Sequence, residues 1–186
     1  MKKTWLMALL LTALSTTAVA DDDDSAYAQA LKNFKDQPAT ATFFDNSVAY
    51  ALFPTIGKGG IGIGGAFGKG RVYRGGNYVG NVKMGQLTIG LQLGGQAYSQ
   101  LILFKNKDTY DEFTEGNFEF GADATAVALT YGAQAGATTK GASASAGDTK
   151  GVGSWKRGMA VYTIAGGGLM YEASIGGQKF KYKPVK

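Results

Sequence analysis

Two periodicities divide the chain. Between Ser25 and Asp36, Tyr27, Leu31 and Phe34 fall at i, i+4 and i+7, which predicts a short helix with one apolar stripe, ended by Pro38. Phe44, Val48 and Leu52 repeat at i, i+4 and i+8 and predict a second helix over Thr42 to Leu52, from which Pro54 forces the chain. From Ile56 onward the period becomes two. Leu87, Ile89, Leu91 and Leu93 alternate with Thr88, Gly90, Gln92 and Gly94, the pattern of a strand with one apolar face. A bulge or turn is expected at Gly94-Gly95, after which AYSQLILF continues as strand. Residues 106–116 are polar and hold a short helix. From Asn117 to Tyr131, Phe118, Phe120, Ala122, Ala124, Ala126 and Ala128 alternate on one side of a strand. Residues 158–166 and 168–176 predict two further strands. QKFKYK closes the series, with Lys179, Lys181 and Lys183 on one face and Phe180 and Tyr182 on the other. The sum is a β-dominated α+β fold: two short N-terminal helices, then a strongly twisted, antiparallel, glycine-rich sheet.

Glycine raises the first question of chemistry. Gly60, Gly62 and Gly65 spell G-x-G-x-x-G, the spacing that cradles a dinucleotide pyrophosphate where a helix opens at the third glycine. Here AFGKGRVYRGGNYVG follows, which starts no helix, and Gly75-Gly76-Asn77 reads as a hairpin turn. Walker A spacing fails as well, because Ile63 stands where its first glycine belongs. The segment therefore reads as sheet, with Ile61 and Ile63 on one face and Gly60, Gly62 and Gly64 leaving the other bare for sharp curvature and close approach.

Composition narrows the function further. Lys2 and Lys3, the apolar run from Trp5 to Leu14, and Ala18-Val19-Ala20 form a secretory leader over residues 1–20, with cleavage expected before Asp21. The expectation is an exported, periplasmic protein, soluble or peripheral to a membrane. Residues 21–40 make an acidic N-terminus and the amphipathic helix. Residues 41–186 make one domain, with a flexible Gly/Ala-rich loop near 132–153. Without the leader, 17 basic side chains face 14 acidic ones. Setting aside Asp21 to Asp24, read as a disordered tip, leaves 17 against 10. An exported basic body meets anionic lipid far more often than nucleic acid. The chain has neither histidine nor cysteine, which removes Ser-His-Asp and Cys-His nucleophiles and zinc sites built on those ligands. Asp123 and Glu172 stand in apolar strands, where solvent exposure or pairing is the expected state. No catalytic, cofactor or metal residue is assigned, and the reading is non-enzymatic.

Four blocks in order, VAYALFPTIGKGGIGIGGAFGKGRVY, TIGLQLGGQAYSQLILFKNK, GNFEFGADATAVALTYGA and GLMYEASIGGQKF, resemble the bacterial branch of the SYLF family of lipid-binding domains across about residues 42–183. The length of the Gly/Ala loop near Thr138 to Gly153 departs from the family pattern. The resemblance implies attachment to anionic membranes and no established reaction. Lys58, Lys69, Arg71 and Arg74 lie in the matching N-terminal block, Lys83 is nearby, and Lys179, Lys181 and Lys183 come from the last strand. These eight cations, helped by Tyr27, Leu31 and Phe34 of the amphipathic helix, are the expected lipid-binding residues. The partner expected is an anionic phospholipid surface. An envelope protein partner and a small outer-membrane β-barrel are the alternatives; the barrel conflicts with the helical start and the KYKPVK ending.

Overall fold

The structure, a computed structural model, describes residues 18–90, 96–129, 153–166 and 174–186. Helix α1 runs Ala18–Lys35 and α2 runs Pro38–Asp45. The stripe expected from Tyr27, Leu31 and Phe34 exists, and it faces inward: Tyr27 and Phe34 are buried and Leu31 packs beside them. The Asp21–Asp24 run is helical instead of a disordered tip. Pro38 begins α2 as its first residue, where a missing N–H costs nothing. The helix predicted over Thr42 to Leu52 is corrected: α2 stops at Asp45, and Ala49 already pairs with Phe104 in the sheet. Cross-strand partners far along the chain override a local 3.6-residue spacing there.

Strand β1, Ala49–Arg74, is the axis of the fold. Its first limb, residues 49–58, pairs antiparallel with β3, Gln96–Phe104; its second limb, residues 62–74, pairs with β2, Asn77–Gly90. Pro54 sits in β1 at a register shift between Phe53 and Ile56, a place where the ladder tolerates a residue without an N–H. The corner between the limbs is at Gly60, whose φ of 147° is open to glycine and strained for other residues. Beyond it the limbs meet: a Cβ on Gly70 would lie 2.7 Å from Phe53 Cδ1 and 2.8 Å from the Leu52 carbonyl oxygen. The glycine-rich segment is thus curved sheet, and no helix follows Gly65 to hold a pyrophosphate. The expected hairpin at Gly75-Gly76 is a tight turn with φ of 56° and 81°.

Helix α3 runs Lys107–Thr114, its N-terminus capped by Asn106 Oδ1, which accepts from the Thr109 backbone N–H at 3.0 Å. The single strand expected over residues 117–131 is replaced by two short ones, β4 Phe118–Glu119 and β5 Val127–Leu129, separated by a turn at Gly121–Asp123. Strands β6, Met159–Ala165, and β7, Lys179–Pro184, complete a sheet of order β4-β7-β2-β1-β3-β6-β5. All named pairings are antiparallel except β5 with β6. The sheet is strongly curled. On its inner face Phe53, Ile56, Met84, Ile102, Phe104 and Phe180 pack with Phe113 of α3. On its outer face α1 and α2 cover Leu52, Leu101, Leu103, Tyr162 and Ile164. Full burial of one such side chain contributes about 1.5–3 kcal/mol. The predicted loop near 132–153 and most of the strand expected at 168–176 lie outside the described residues, save Gly153 and residues 174–176.

Candidate basic and apolar face

The helices cover only part of the outer face. The rest, formed by β7, β2 and the second limb of β1, carries a pattern set by register alone. Lys69 pairs with Lys83, and Lys83 pairs with Lys181, so three lysines stand directly abreast on adjacent strands. All three are exposed, and among the described residues none has an ion-pair partner. Neighbouring strands lie about 4.8 Å apart, which places three ammonium-bearing stems within about 10 Å. Like charges directly opposed across strands are destabilising, by a few tenths to about 1 kcal/mol per pair. The next row toward the Gly60 corner is Phe67, Gly85 and Lys179. Lys179 leans on Glu119 at 3.4 Å. From that row onward the face turns apolar: Phe67 is 55% exposed, Leu87 85% and Ile63 74%.

Strand β2 therefore runs opposite to its sequence pattern. Gln86 is buried and Leu87 is the exposed residue. Of the apolar alternation beginning at Leu87, Leu91 and Leu93, with the bulge expected at Gly94-Gly95, lie outside the described residues; Leu87 itself points to solvent and not into the core.

The eight expected cations divide by placement. Lys69, Lys83, Lys179, Lys181 and Lys183 share the open face, Lys183 through its pairing with Asn81. Lys58 pairs with Gln96 and lies two residues beyond the buried Ile56–Tyr98 pair, on the inner side of the sheet. Arg74 sits over the Tyr110 ring at 5.0 Å, against α3. Tyr27, Leu31 and Phe34 are packed on the sheet, so the helix stripe offers no free apolar surface in this conformation. The residues that sequence reasoning missed are Phe67 and Leu87 as exposed groups; only strand pairing reveals that they adjoin the lysines.

Arg71 belongs to the same face but is held from within. Its Nη2 donates to Asp23 Oδ2 at 2.8 Å and its Nη1 to Asp24 Oδ1 at 2.5 Å. The guanidinium lies 4.1 Å from the Tyr27 ring centroid and 5.1 Å from that of Tyr78. Burial by itself would lower its pKa, but hydrogen bonds to Asp24 and Tyr73 raise it, and the group stays charged. This clamp fastens the second turn of α1 to β1.

Residues 85–183, more than half of the chain, match the family described as Ysc84, Las17-binding protein actin regulator. The chain belongs to the Ysc84/SYLF family. It is also similar to Beta cell expansion factor A of Aeromonas veronii, at 28% identity over 159 residues, covering 81% of this chain and 51% of that protein. The chain spans about half the length of that curated relative.

Inside the curl, this SYLF domain buries an amide network. Gln100 Nε2 donates to Gln178 Oε1 at 2.9 Å, and Gln178 Nε2 donates back to Gln100 Oε1 at 3.1 Å and to the Tyr98 hydroxyl at 3.3 Å. Gln86 Nε2 donates to the Gly176 carbonyl at 2.9 Å. A buried network of this kind fixes geometry because its members have no alternative partners. Here it ties the segment entering β7 to β2 and β3, and so positions the strand that carries three of the lysines. Asp123 is exposed in its turn, and Glu172 lies outside the described residues. Among the described residues no cluster of carboxylates is placed to hold a metal ion.

The buried phenols predict an alkaline limit. Burial first, and Asp23 second, pushes Tyr27 up to about 12 from 10.0; burial also pushes Tyr50 and Tyr98 up to about 12. The folded chain therefore favours the neutral phenol, so this contribution is complete below pH 10 and is lost as pH rises through about 12. Urea melts followed by far-ultraviolet circular dichroism should show stability falling between pH 10 and 12. Constant stability to pH 12 would refute it.

Proposed function

We propose that this SYLF domain belongs to a non-enzymatic protein, exported to the periplasm by its N-terminal leader, that attaches peripherally to anionic phospholipid membranes through the open face of β7, β2 and β1. The observation that carries the reading is the row Lys69, Lys83 and Lys181, opposed like charges with no acidic partner among the described residues. An anionic surface supplies the missing counter-charge. Each cation near such a surface contributes about 1 kcal/mol, and the exposed Ile63, Phe67 and Leu87 add apolar contact at the headgroup boundary. Lys179 and Lys183 extend the basic row; Lys58, Arg74 and the α1 stripe take no direct part, and Arg71 takes none while Asp23 and Asp24 hold it. The actin-related partner in the family description is not adopted, since a periplasmic chain would not meet it.

Co-sedimentation tests this. The protein should pellet with phosphatidylglycerol vesicles, not with phosphatidylcholine, and lose most binding between about 0.05 and 0.5 M salt. Leu87→Asp, at an exposed position, should weaken pelleting about tenfold without changing the melting temperature. Salt-insensitive binding, or equal binding to neutral lipid, would overturn the electrostatic reading. No binding to either lipid would favour an envelope protein as partner.

A further inference from the structure

The clamp on Arg71 stands at the edge of the lysine row. Arg71 is two residues from Lys69 on the same strand and face, and its partner Asn81 pairs in turn with Lys183. The Asp23 and Asp24 side chains that hold it are themselves 61% and 68% exposed. Arg71 lies two residues, roughly 7 Å along the strand, from Lys69, so the carboxylates that hold it stand beside the Lys69–Lys83–Lys181 row. Among the described residues they are the acidic groups of α1 that reach this face, and they bond its guanidinium in the manner an incoming phosphate would: two oxygens against two guanidinium nitrogens.

We propose that Asp23 and Asp24 act as a built-in competitor for the anion this face takes up. Seated on Arg71, they hold the face at reduced affinity; an anionic surface that engages the three lysines displaces them, frees the second turn of α1 and recruits Arg71. The inference rests on the reading of this face as anion-binding, and concerns its regulation. It assigns Arg71 a conditional role: silent while clamped, contributing once the acids are removed.

The test combines Asp23→Asn/Asp24→Asn with a charge-matched control, Glu112→Gln/Glu115→Gln, whose exposed acids lie on or beside α3 at the opposite side of the sheet. Partition onto phosphatidylglycerol vesicles should rise about tenfold for the first variant and no more than about twofold for the control. Arg71→Gln should change wild-type binding less than about twofold, yet remove most of the gain in the Asn/Asn background. Equal gains in variant and control, or the same Arg71→Gln effect in both backgrounds, would overturn the proposal. If loss of the clamp lowers the melting temperature, Asp23→Asn alone keeps the Asp24 bond and should show a smaller gain of the same sign; no gain there counts against it. Salt elution from a heparin column reads the competition without lipid. Later elution of Asn/Asn than of the control, with no vesicle binding by any form, would sustain the competition and refute the membrane. Identical elution would refute the competition itself.

Discussion

Replacing Lys69, Lys83 and Lys181 together by glutamate is expected to abolish co-sedimentation with phosphatidylglycerol vesicles. Three cations at about 1 kcal/mol each correspond to more than a hundredfold in affinity, and the introduced acids add repulsion. The same substitution at Lys58 and Arg74 should leave binding within about twofold, because those residues lie on the inner side of the sheet and against Tyr110. That contrast separates a specific face from a general effect of net charge. A companion result concerns stability. Lys83 is flanked by a lysine on each side, so Lys83→Gln should raise stability by about 0.5 kcal/mol while weakening binding. A face kept at a cost to the fold is what a binding role predicts. If Lys83→Gln destabilised the protein, the lysine row would be structural.

Gly70→Val is expected to cost more than about 3 kcal/mol and to lower the melting temperature by about 10 °C. Strand propensity alone argues the reverse, since valine favours extended backbone and glycine weakens it. Sterics decide. The new Cβ would stand 2.8 Å from the Leu52 carbonyl oxygen, a backbone atom that cannot move without breaking the pairing of β1 with β3, and 2.7 Å from the buried Phe53 ring. The limbs of β1 would have to part, opening the curl. Differential scanning calorimetry measures this directly, and an unchanged or higher melting temperature would show that the limbs are less tightly apposed.

The sheet was legible where alternation and turn chemistry agree. AYSQLILF, the Gly75-Gly76 turn and the split of β7 into lysine and aromatic faces follow from period two and from glycine's access to positive φ. The short helix after Asn106 follows from its cap. Residues 42–52 misled because three apolar residues at helical spacing satisfy a strand equally well, and only Phe104 and Ile102 across the ladder choose between them. The start of α2 was missed for a simpler reason: Pro38, which does close off the first helix, is also a favoured first residue of the next. Half of the candidate face was visible as a set of cations. Its shape was not, because residues 69, 83 and 181 become neighbours only through two separate strand pairings.

What this sequence determines by itself is local: period, turn positions, the bare glycine face that permits curvature, and the absence of histidine and cysteine chemistry. What the tertiary structure alone decided is which side of each strand faces out. Leu87 and Gln86 differ by one residue, and one residue is the whole distance between the two faces of a sheet. Their inversion, with the glutamine buried and the leucine exposed, is settled by Gly176 and Gln178 supplying amide partners inside the curl. Those partners are some ninety residues away along the chain, where no local pattern can register them.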